Sequence, residues 1–62
     1  MWPFKSRNYV VIDTGTGKYF SGTPEIWTDK QENALKMTRD DAIGVKYSVV
    51  LRTNIAAVAV RL

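Results

Sequence analysis

Apolar residues come in short bursts along this chain, each closed by residues that turn the backbone. Tyr9, Val10, Val11 and Ile12 are aromatic or β-branched and run into Asp13-Thr14-Gly15-Thr16-Gly17, a cluster that tolerates tight turns. Lys18, Tyr19 and Phe20 then read as a returning strand, closed by Ser21-Gly22-Thr23-Pro24, so residues 8 to 21 form a β-hairpin. Glu25, Ile26 and Trp27 make a short extended piece. Because side chains alternate along a strand, Tyr9, Val11 and Tyr19 are expected on one face of the hairpin and Val10, Ile12 and Phe20 on the other.

A polar stretch follows. Asp29 with Glu32 three residues later has the form of a capping box, which predicts a single helical turn. Ala34, Leu35, Lys36 and Met37 return to extended geometry and can pair with the hairpin. Thr38 with Asp41 repeats the capping pattern, and Asp40 and Asp41 place negative charge where the helix dipole is positive.

From Ala42 to Arg52 two periods fit. At about 100° per residue, Ala42, Val45 and Val49 form one stripe and Ile43, Tyr47 and Val50 its neighbour, with Lys46 between them. With period two, Val45, Tyr47, Val49 and Leu51 share a face, a strand pattern. Gly44 costs a helix about 1 kcal/mol relative to Ala, and the Val-rich composition leans to strand. The cap at Thr38 leads us to expect helix from about 39 to 51. Thr53-Asn54 is the exit turn, and Ile55 to Leu62 the final strand, apolar on both faces apart from Arg61 and so expected in the middle of the sheet. The fold class expected is α+β, a small antiparallel sheet of three to five strands packed on one α-helix.

Length and composition narrow what such a fold can do. Sixty-two residues make one small domain, read here as residues 8 to 62 preceded by an arm, residues 1 to 7. The arm carries Trp2, Pro3, Phe4 and Arg7; its apolar rings either cap the end of the core or meet a partner. With 45% hydrophobic and 24% charged residues the chain can bury a core. It has no Cys and no His, so disulfides, thiolate and imidazole metal ligands and the commonest general base are missing. We expect no metal, no cofactor and no catalytic residue. The longest apolar run, Ile55 to Val60, is six residues against roughly 20 for a bilayer span. The opening residues lack a signal-peptide core, and the expected location is the cytoplasm.

Three constellations invite chemistry. Gly15-Thr16-Gly17-Lys18 resembles the end of a phosphate-cradling loop, but Tyr19 stands where Ser or Thr should reach Mg²⁺, Ile12 takes the place of the first glycine and a strand follows instead of a helix. Asp40 and Asp41 are the only adjacent carboxylates, yet neighbours on a helix diverge by about 100°, so they do not face one bond. The aromatic and basic residues of the sheet are the third. One helix covers one face of a sheet, which would leave tyrosines exposed beside Lys or Arg, a surface suited to a protein partner or to base stacking. The candidate partner-binding residues are Tyr9, Tyr19 and Trp27, with Trp2 and Arg7 of the arm. The net charge of +3 is dispersed, which favours a protein partner over a polyanion. The alternative is a small nucleic-acid-binding accessory protein using the same tyrosines with Arg7, Lys18 and Arg61. A third route is a homodimer, through the C-terminal strand or the hairpin edge.

The run Tyr9-Val10-Val11 with Gly17-Lys18-Tyr19-Phe20, then Trp27-Thr28-Asp29, then residues 34 to 42, Leu51-Arg52 and residues 55 to 60, resembles small uncharacterised proteins of phages and prophages. The likeness covers residues 9 to 62 and rests on structural positions, with Met37 where an aromatic is more usual and Lys46 where a small residue packs better. It implies helix over 39 to 51 and a phage-encoded protein; taken with the composition and the aromatic and basic residues, the function expected is a non-catalytic protein that binds and blocks a host protein such as a defence nuclease, a CRISPR effector or a transcription factor, in the host cell cytoplasm.

Overall fold

A computed structural model describes residues 7 to 23 and 26 to 62. Its elements are β1 (Tyr9–Asp13), β2 (Tyr19–Thr23), β3 (Ile26–Thr28), a 3-10 turn (Gln31–Asn33), α1 (Arg39–Thr53) and β4 (Ala57–Arg61). The strands form one antiparallel sheet in the order β3-β2-β1-β4, and the single α-helix packs on it. The expected α+β class is what the chain adopts. Of the arm, only Arg7 lies within the described residues.

The hairpin turn is organised by Asp13. Its carboxylate accepts from the Gly15 N–H at 2.8 Å and from the Thr16 hydroxyl at 3.1 Å, and its C=O accepts from the Gly17 N–H at 2.7 Å. Gly17 sits at φ +75°, which a side chain would strain. Tyr19 then pairs directly with Ile12. That pairing corrects the expected faces: Tyr19 shares its face with Ile12, and Phe20 joins Val11 on the helix side. One residue of register decides which face every side chain of a strand takes.

Beyond the Ile12–Tyr19 pair the two strands part, and residues 35 to 37 fill the gap. The Leu35 N–H donates to the Phe20 C=O at 3.0 Å, and Met37 pairs with Tyr9. Ala34 to Met37 do pair with the hairpin, as expected. The core lies between this side of the sheet and α1: Val11, Phe20, Met37, Ala42, Val49 and Ala57, with Tyr9, Trp27, Val45, Val50, Ile55 and Ala59 packed around it. Phe20 and Trp27 meet edge to face, ring centroids 5.7 Å apart.

The stretch over which two periods competed is helical, because residues 42, 45 and 49 all reach the core only with a helical repeat. The Thr38 hydroxyl accepts from the Asp41 N–H at 3.2 Å, the expected N-cap. The helix runs to Thr53, two residues past the expected end, and stops at Asn54 in the left-handed conformation, φ 57°. Three further expectations are corrected. The 3-10 turn forms without a side-chain cap: Lys30 occupies the cap position, and the Lys30 N–H goes to the Thr28 hydroxyl at 3.1 Å, so the Asp29–Glu32 box is absent. The last strand begins at Ala57, since Ile55 packs on the core as the chain leaves the helix. Among the described residues it is also an edge strand, paired with β1 alone, and not the central strand its apolar composition led us to expect. No helix of the described residues is long and apolar enough to cross a membrane.

Candidate functional site

Four of the five residues singled out as partner contacts lie within the described residues, and the structure does not gather those four on one face. Tyr9 is half-buried on the helix side of the sheet, against the core. Tyr19 is half-buried on the other side, opposite Ile12 and Thr28. Trp27 is half-buried and packs on Phe20. Trp2 lies outside the described residues. Arg7 is exposed. The open face of tyrosines that the alternation predicted does not form, because the turn register sends Tyr9 and Tyr19 to opposite faces. Val10, on the side away from the helix, is fully buried as well. Of the basic residues in the nucleic-acid reading, Lys18 is exposed at the hairpin turn and Arg61 is exposed at the end of β4, opposite Tyr9.

What the fold does assemble is a groove of about 530 Å³, open to solvent, between residues 35 to 37 and the first half of α1. It exists because residues 35 to 37 are tied to β1 and β2 by backbone hydrogen bonds while α1 starts just after them, at Arg39, behind the Thr38 cap. The chain turns sharply there and leaves a cleft between the two. Leu35, Met37 and Val45 supply the apolar surface, Arg7 and Lys36 two cations, and Asp40 and Asp41 two carboxylates. Leu35 keeps 41% of its surface exposed, and Met37 is buried behind it. The Lys36 ammonium donates to the Gln31 C=O at 3.1 Å, which holds it beside the groove.

Gly44 lies on this wall, and no packing among the described residues accounts for it. It sits inside the helix with an ordinary helical φ, and a methyl group added to it would meet nothing within 4 Å. A helical glycine costs about 1 kcal/mol relative to Ala, and here the described chain gains no close packing from it. No family model, no curated protein and no solved structure matches the chain.

That geometry suits binding by contact. The two carboxylates belong to the first turn of the helix, where they complement its dipole, and as neighbours in sequence they leave the helix about 100° apart. Among the described residues no group of acidic side chains could hold a metal ion. The phosphate-loop comparison ends at the turn itself, since the residues after Gly17 enter β2 and the N–H groups of Gly15 and Gly17 are spent on Asp13. Sequence reading passed over the groove because its walls come from two elements whose juxtaposition depends on the Met37–Tyr9 pairing. The one signal available was Gly44, a residue whose cost to the helix was visible without a packing reason.

Proposed function

We propose that this chain is a non-catalytic protein-binding domain, and that the groove beside α1 takes an extended segment of its partner. The observation that carries this reading is Gly44: an exposed glycine in a helix, with no packing against it among the described residues, on the wall of a cleft that is part apolar and part charged. Glycine is used where another backbone or ligand must approach closely, and a partner strand lying along α1 would make that approach. The segment that fits carries an apolar side chain over Leu35 and Val45, with a basic residue toward Asp40 and Asp41 and an acidic one toward Arg7.

The same walls disfavour the nucleic-acid alternative. Two carboxylates at the rim repel phosphates, and a stacking platform needs aromatics on one open face, which Tyr9 and Tyr19 do not share. The phage-type resemblance names the kind of partner expected, a host protein whose surface is blocked by occupation.

The test is a pull-down from nuclease-treated bacterial lysate with the wild-type chain and Gly44→Trp side by side, circular dichroism first establishing that both are folded. The proposal expects a host protein retained by the wild type and lost by the variant. Retention of the same protein by both, or of nucleic acid alone when nuclease is omitted, overturns it.

A further inference from the structure

The two edges of the sheet are built differently. On one, β3 has three residues and its pairing with β2 is broken by a register shift between Phe20 and Thr23, where Gly22 takes φ +128°. Short, bulged edges resist pairing with other chains. On the other, β4 is five residues long and pairs with β1 without a break from Tyr9–Arg61 to Asp13–Ala57. It has no proline and no bulge, and its only charge is at its last residue. Nothing in it blunts the edge.

The groups of that edge with no partner among the described residues can be assigned. The Leu62 N–H donates to the Asn8 C=O at 2.7 Å, and the Thr14 N–H donates to the Ala56 C=O at 2.8 Å. Even-numbered residues of β4 therefore point their backbone groups at β1, and those of Ala57, Ala59 and Arg61 point outward. These three positions are symmetric about Ala59. A second copy related by a two-fold axis through Ala59 sets Ala57 against the partner's Arg61, and Ala59 against its own equivalent. Every outward N–H and C=O of both strands then finds a partner.

Charge and shape agree with that register. The two Arg61 side chains fall at opposite ends of the seam, each beside an alanine, so like charges do not meet. Each also lands on the same face as the other copy's Asp13, one strand further in, because Asp13 lies directly opposite Ala57. On the face away from the helix, Val58, 39% exposed, meets Val60 of the other copy. At about 100° per residue, Ile43, Lys46, Tyr47 and Val50 lie on the flank of α1 away from the groove, where the Lys46 ammonium sits 4.4 Å over the Tyr47 ring and Tyr47 keeps 58% of its surface exposed.

We infer that the chain forms a two-fold homodimer through β4, joining two four-stranded sheets into one continuous antiparallel sheet about Ala59. The groove, on the far side of β1 from β4, stays open in both copies. The inference stands apart from the proposed function.

The absence of Cys makes the register directly testable. Val58→Cys and Val60→Cys are prepared separately, then mixed and oxidised. Facing residues of a non-hydrogen-bonded antiparallel pair lie about 4.5 Å apart at Cα, within disulfide reach. A covalent dimer is expected from the mixture and not from either variant alone. Equal cross-linking of a single variant overturns the register. Light scattering of the wild type should give twice the chain mass of 7.0 kDa, and Ala59→Pro, whose lost N–H points outward and whose ring also blocks the seam, should return it to one, with circular dichroism showing the variant folded. A wild type that stays at one chain mass at the highest attainable concentration overturns the dimer.

Discussion

The backbones of Tyr9 and Met37 exchange hydrogen bonds in both directions, Tyr9 N–H to Met37 C=O at 2.9 Å and Met37 N–H to Tyr9 C=O at 2.8 Å. This pair closes the gap left where β1 and β2 separate, sets the start of α1 against the sheet and so creates the groove. Met37 is also 5% exposed, within the core. Met37→Ala should cost about 2–5 kcal/mol, a large share of what a core this small supplies. Chemical denaturation measures it; a cost under about 1 kcal/mol would mean the segment is not an anchor.

Gly44→Ala should stabilise the isolated chain by about 1 kcal/mol, since the added methyl meets no neighbour, and should raise the melting temperature by about 4–8 °C for a domain of this size. Thermal unfolding checks it. A lower melting temperature would mean that Gly44 has a structural role within the chain. The contrast with Gly44→Trp, folded but defective in partner binding, separates the glycine's stability cost from its contact role.

The helix ends make a paired prediction. Thr38→Ala removes the hydroxyl that accepts from the Asp41 N–H and should cost about 1 kcal/mol. At Asn54, held at φ 57° with its N–H on the Val50 C=O, Gly should be tolerated and Val should cost about 1–2 kcal/mol. Denaturant midpoints for the three variants test both ends together, and equal effects of Gly and Val at position 54 would contradict the left-handed cap.

Much of the fold is legible in the sequence because local chemistry dictates it. The Asp13 turn, the Thr38 cap and the apolar bursts on either side each act over a few residues, and hairpin, helix and closing strand follow from them. What escaped was set by relations between elements. Whether Tyr19 lines up with Tyr9 or with Ile12 depends on one residue of turn register. Whether β4 is central or at the edge depends on which strand has a second neighbour, and its AVAV pattern is compatible with both. The Asp29–Glu32 spacing matched a capping box, but the chain turned through a 3-10 geometry stabilised by Thr28. The groove belongs to the same class: the cleft exists only because residues 35 to 37 dock beside β1.

Electrostatics gives a further prediction. With a dispersed net charge of +3 and carboxylates at the groove rim, affinity for DNA or RNA at physiological salt should be weaker than about 10 μM, the range of non-specific binding. Fluorescence anisotropy across a salt series measures it. Tighter binding, with a steep loss on adding salt, would favour the accessory nucleic-acid reading over the protein-binding one.

The most direct test of the groove as a peptide-binding site is a nuclear magnetic resonance titration of the isotope-labelled chain with a peptide selected against it from a random displayed library. The account predicts that the amide shifts cluster at residues 35 to 37 and 40 to 48, and that Gly44→Trp abolishes them while leaving the rest of the spectrum intact. Shifts confined to the β1–β2 turn or to the face carrying Tyr19 and Val58, unaffected by Gly44→Trp, would contradict it.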